Sequence, residues 1–156
     1  MRGFTLVEAL LALLVLLLLS TLGLPRVVGL RDRLLVEAAA ARLIEGYERA
    51  RVAALLSGGS AVLEVSSEQF TVSCPLDGDT LPVWNAPGPG RDGVALASSL
   101  GRVAFGPNGL SYGFANGRFE FRRGMVTRAL IASRPGRLRV ERSPRRRGRT
   151  PGRHAP

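Results

Sequence analysis

The sequence predicts an α+β fold: a long N-terminal helix, membrane-spanning in its first half, packed against a small antiparallel β-sheet domain. Three observations carry this. Ala9 to Leu19 are eleven consecutive residues without a charge or a hydrogen-bonding side chain. Beyond Pro25, apolar residues recur at helical spacing as far as Gly58-Gly59. From Ser60 onward the apolar positions alternate instead, in short runs separated by glycine and proline.

Taken in order, Met1 to Gly3 form a short leader and residues 4–25 the transmembrane half of the helix. From Phe4 to Leu24 a helix rises about 31 Å, which matches the hydrocarbon thickness of a bilayer. Glu8 is the one charge in this stretch, and an ionisable group there is costly enough to require a role. Arg2 keeps the N-terminus cytoplasmic and places the bulk of the chain across the membrane. Pro25 would kink or locally open the helix. Residues 26–57 form the amphipathic half, with Leu30, Leu34, Ala38, Leu43, Tyr47, Ala50 and Ala54 on the apolar side and arginines and acids elsewhere. Gly58-Gly59 ends it, because glycine takes the left-handed conformation that closes a helix.

Residues 58–142 are expected to form the sheet domain. Candidate strands are Ala61 to Ser66, Gln69 to Cys74, Val94 to Ala97, Val103 to Phe105, the stretch around Phe119 and Phe121, Val126 to Ala132 and Leu138 to Glu141. Arg118, Glu120 and Arg122 alternate with the two phenylalanines in the cleanest period of two in the chain, and Gly117 suits a turn before them. Pro75 to Gly93 reads as a loop with at most a short strand near Val83-Trp84. Residues 143–156 are an arginine-rich tail expected to be disordered.

Composition excludes several classes. The single Cys74 cannot form an internal disulfide, and with one histidine in the whole chain a packed thiol is the favoured reading over a metal ligand. Asp77 and Asp79 fall short of a calcium loop. The serines lack a histidine partner, and the glycine-rich stretches lack phosphate-loop or dinucleotide spacing. Neither an enzyme nor a cofactor is expected. All 22 basic residues are arginine, and most of the net charge of +10 lies after residue 133, so the charge speaks to partners and not to fold.

A secretory signal or simple anchor needs a longer basic region, and a cleaved signal has a small-residue site after the apolar run. Here the small residue precedes it: Gly3-Phe4-Thr5-Leu6-Val7-Glu8 abuts the hydrophobic block. At these residues the chain resembles the type IV pilin and pseudopilin family. The resemblance implies that a prepilin peptidase cuts after Gly3 and N-methylates Phe4. It also implies that the apolar helices of several subunits bundle in a filament based at the inner membrane, with Glu8 pairing the Phe4 amine of a neighbouring subunit. A buried carboxylate needs such a cation.

Near the C-terminus, Gly136-Arg137-Leu138-Arg139 places two arginines on one side of an extended segment, about 7 Å apart, with Leu138 facing the sheet. Two guanidiniums so placed can grip neighbouring phosphates, and Gly136 permits close backbone approach. Arginines alternating on a strand are more often a solvated face. With Phe105-Gly106-Pro107-Asn108-Gly109 and the leader, however, the motif is similar to that of H-type pseudopilins and FimT-like minor pilins. In that group a Gly-Arg-x-Arg motif binds double-stranded DNA in natural transformation. Arg134, Arg142, Arg145, Arg146 and Arg147 could support Gly136, Arg137 and Arg139 there. The alternative is a structural pseudopilin of a type II secretion filament, in which the arginines only solubilise or meet an acidic partner.

Overall fold

The computed structural model describes residues 5–76, 79–113, 116–133 and 136–141; the side chains of residues 19–25 and 76 fall outside the description. A single helix, α1 (Leu6–Ser57), occupies the first third of the chain and is capped at its end by Gly58, φ 62°. It continues through position 25. Among the described residues no helix is long and apolar enough to cross a membrane. Phe4 and the side chains of residues 19–24, which belong to the expected span, lie outside them.

Among the described residues nine strands follow: β1 (Ala61–Val65), β2 (Gln69–Leu76), β3 (Asp79–Pro87), β4 (Ala95–Ser98), β5 (Arg102–Phe105), β6 (Ser111–Tyr112), β7 (Gly117–Arg123), β8 (Val126–Ala132) and β9 (Leu138–Glu141). A 3₁₀ turn, Pro89–Asp92, precedes β4. The strands form two antiparallel sheets where the sequence suggested one, ordered β3-β2-β1-β5-β6 and β4-β7-β8-β9.

Both sheets pack on the same helix. Val36, Ala39, Leu43, Tyr47, Ala50 and Ala54 recur at threes and fours and are fully or almost fully buried. They meet Leu63, Phe70, Val72 and Phe105 of the first sheet and Phe119, Phe121 and Leu130 of the second. Small residues on the helix let the sheet aromatics come close. The buried face starts later than expected: Leu30 and Leu34 are exposed, and Val36 is the first fully buried apolar residue of the helix among the described residues. Among the described residues three ion pairs tie the helix to distant segments: Asp32 to Arg123 at 2.7 Å, Glu37 to Arg128 at 3.4 Å and Arg42 to Asp92 at 2.6 Å.

Two strands depart from the sequence reading. β3 occupies what looked like loop; it is an edge strand, where Pro82 and Pro87 forfeit no essential ladder bond. Its Trp84 ring covers Gly46 of the helix, so closely that a Cβ there would sit 2.8 Å from the ring. β6 is only two residues long. The hairpin glycine is also different. Gly117 is the buried first residue of β7, and the β7–β8 turn is Gly124-Met125, with Gly124 at φ 54° as primed two-residue turns require.

Candidate nucleic-acid interface

Gly136 and Arg137 sit on the turn between β8 and β9, and Arg139 follows within β9. The Gly136 amide donates to the Ser133 carbonyl at 2.9 Å, and the Ser133 amide donates to the Arg137 carbonyl at 2.9 Å. The Ser133 hydroxyl donates to the same carbonyl at 3.1 Å. The turn from β5 to β6 is built alike: the Gly109 amide donates to Gly106 at 2.8 Å and the Gly106 amide to Leu110 at 2.9 Å. The two turns meet. A Cβ on Gly136 would lie 3.3 Å from the Ser111 amide nitrogen and 3.5 Å from Phe105 Cε1.

This contact revises the role of Gly136. It is buried, at φ 82°, so it serves the turn and the junction between the sheets and does not face a ligand. Phe105 beneath it stands edge-on to Tyr47 of the helix, ring centroids 4.8 Å apart at 88°. Burial pushes the Tyr47 hydroxyl above its usual pKa, and the nearby Ser111 side chain offsets part of that. The turn is thus seated on the core, at the level of the helix between Tyr47 and Leu55.

Arg137 and Arg139 are both exposed, and Leu138 between them is half-buried against the core, as the alternation anticipates. β9 proper begins at Leu138, so Arg137 belongs to the end of the turn, its carbonyl held by Ser133. Arg139 stands opposite Ile131 of β8, and Arg118 of β7 stands opposite Ile131 from the other side. Arg118 is committed to acids: 2.9 Å from Glu141 and 3.3 Å from Glu120. Among the described residues neither Arg137 nor Arg139 has a carboxylate partner. A shallow depression of about 510 Å³ adjoins Arg139, lined also by Ile131, Val140 and Glu141. Among the described residues the surface therefore offers two guanidiniums without an acid partner, and Arg118 reduces the repulsion that Glu141 would exert on an anion.

Arg118 was visible in the sequence only as part of an alternating strand, since its pairing with Glu141 depends on strand order. Gly3, Phe4, Arg134, Arg142, Arg145, Arg146 and Arg147 lie outside the described residues.

At the other end of the helix, Thr5 is the N-cap and its hydroxyl accepts from the Glu8 amide at 3.3 Å. Thr5-Leu6-Val7-Glu8 has the spacing of a capping box, and Glu8 lies in the first turn, where a negative charge is favoured. Glu8 therefore has a role within its own chain as well as the expected one between subunits. Glu8→Gln separates them: Gln preserves the box but not the charge. Assembly should fall several-fold in Glu8→Gln with helix content unchanged by circular dichroism if the intersubunit ion pair matters.

Cys74 is a packed thiol, 8% exposed, and burial pushes its pKa up. Among the described residues no group of three or more His, Cys, Asp or Glu could hold a metal.

Two crystal structures of the type IV minor pilin FimU from Pseudomonas aeruginosa resemble the chain. In one the TM-score is 0.60 at 16% identity, covering 71% of this chain and 91% of that one. In the other it is 0.57 at 16% identity, covering 68% and 92%. No family model matches the sequence, and no curated protein sequence matches it. The long helix and antiparallel sheets are therefore those of a type IV pilin-like fold, in agreement with the expected α+β class.

Proposed function

We propose that this chain is a minor type IV pilin or pseudopilin that binds duplex DNA without sequence preference and assists its uptake. In this reading a prepilin peptidase cuts after Gly3 and methylates Phe4. Residues 4–25 hold the subunit in the inner membrane and then pack against other pilin-like subunits, and the sheet domain lies outside the cytoplasm. It acts by binding and assembly, with no reaction of its own. The observation that carries DNA binding is the pair Arg137, at the end of a turn seated against buried Phe105, and Arg139 on β9, both exposed and unpaired among the described residues. Two guanidiniums presented at the end of this turn and on the strand after it can neutralise adjacent phosphates without contacting base edges. The likeness to the minor pilin FimU supports the fold on which this rests.

The test is the salt dependence of binding to duplex DNA. Binding should weaken steeply as salt rises, because neutralising phosphates releases condensed counterions. Arg137→Gln and Arg139→Gln should each reduce the magnitude of the log–log slope by about one. A chain ending at Ser143 removes the tail arginines as a competing source. Retained binding in that chain, abolished by the double substitution, supports the motif. If truncation removes all binding and the double substitution changes nothing, a structural pseudopilin of a secretion filament is the better reading.

A further inference from the structure

The opposite pole of the domain carries a second basic surface that the DNA reading does not use. The β7–β8 hairpin ends in Met125, 99% exposed, beside Arg122. It is fastened to the helix at Asp32, which pairs with Arg123 and lies where a Cβ on Gly124 would meet its carboxylate at 2.7 Å. On the helix nearby, Arg31 and Arg33 are exposed. Among the described residues Arg31, Arg33 and Arg122 have no carboxylate partner. A solvent-facing methionine at the tip of a two-residue turn adds nothing to the fold.

We infer that this hairpin pole docks on an anionic lipid surface, Met125 entering the interfacial layer while Arg31, Arg33 and Arg122 bind headgroup phosphates. The inference rests on the proposed membrane span of residues 4–25. From Pro25 to Asp32 the helix rises about 10 Å. That is little more than one headgroup layer, and a helix tilt of about 20° brings one side of the domain lower still. Guanidiniums at this height reach phosphates directly. The arginines are complementary to anionic lipid, and an exposed apolar tip suits an interface better than water. The distal corner where Arg137 ends the turn and Arg139 begins β9's exposed side lies level with Tyr47, about 22 Å farther along the helix axis, so both surfaces can be occupied together.

The experiment uses the full chain reconstituted in phosphatidylcholine vesicles with and without phosphatidylglycerol. Cys74→Ala with Met125→Cys provides one site for an environment-sensitive fluorophore, and Trp84 emission verifies the fold. The expected result is blue-shifted fluorescence, quenched by spin-labelled acyl chains, in the anionic vesicles only. Each of Arg31→Gln, Arg33→Gln and Arg122→Gln should lower the ratio of docked to undocked domain roughly fivefold at low salt. A fluorophore that stays in water in both vesicles, while the chain resists alkaline carbonate extraction, overturns the docking and leaves the span intact. Extraction of the chain from both vesicles removes the span, and the inference with it. Glutamine substitutions that weaken DNA binding and leave the fluorophore unchanged would assign this pole to nucleic acid instead.

Discussion

Phe105→Ala should lower the stability of the domain by about 3–5 kcal/mol, a large part of the 5–15 kcal/mol that a domain of this kind possesses. Phe105 is fully buried, stands edge-on to Tyr47 and supports the backbone of Gly136 from beneath. Truncation leaves a cavity where helix and both sheets converge, so no neighbour can fill it without moving a backbone. In urea unfolding followed by Trp84 fluorescence, the midpoint should fall with little change in slope. DNA binding should weaken in the same variant at urea concentrations well below the transition, since the turn loses its seat. A loss of under 1 kcal/mol would show that the sheets do not depend on this junction.

Gly88→Ala should cost a comparable amount, about 3–5 kcal/mol, for a different reason. Gly88 has φ −73°, open to any residue, so the obstacle is space and not conformation. A Cβ there would lie 2.5 Å from the Ser67 oxygen and the Glu68 carbonyl carbon and 2.6 Å from the Gln69 nitrogen. Backbone cannot move aside as a side chain can. The segment clasps the β1–β2 turn through Gly88 N–H to Glu68 at 2.8 Å and Gly90 N–H to Ser67 at 2.7 Å. Overpacking and the loss of both bonds make up the cost. Gly29→Ala is the contrasting substitution: it is helical, with nothing within 4 Å of the added atom, and should stabilise by up to about 1 kcal/mol. Opposite signs in thermal unfolding would separate the two causes.

The elements that local chemistry specifies were legible in the sequence. Gly58 closes the helix, and the period of two places Phe119, Phe121 and Leu138 inward. β3 was not legible because its prolines read as loop; only its edge position excuses them, and position is a property of the whole sheet. The division into two sheets is likewise absent from any local pattern. For the candidate site, the exposure of Arg137 and Arg139 followed from alternation. What the sequence could not give is which arginines are already occupied: Arg42 and Arg123 find their acids 50 and 91 positions away. The burial of Gly136 was not legible for a related reason, since its neighbour Ser111 comes from the other sheet.

The matched construction of the two glycine turns makes this corner intolerant of changes in chain length. Gly136 is wedged against Ser111 on one side, and the ladder of Ala132 with Leu138 through Ala129 with Glu141 fixes β9 on the other. One extra residue between Gly136 and Leu138 would slip the strand by a single position. In a β-strand that exchanges every face, turning Leu138 outward and driving an arginine toward the core. Substitutions at the exposed arginines would leave the fold standing, whereas an insertion or deletion of one codon here would invert core and surface together.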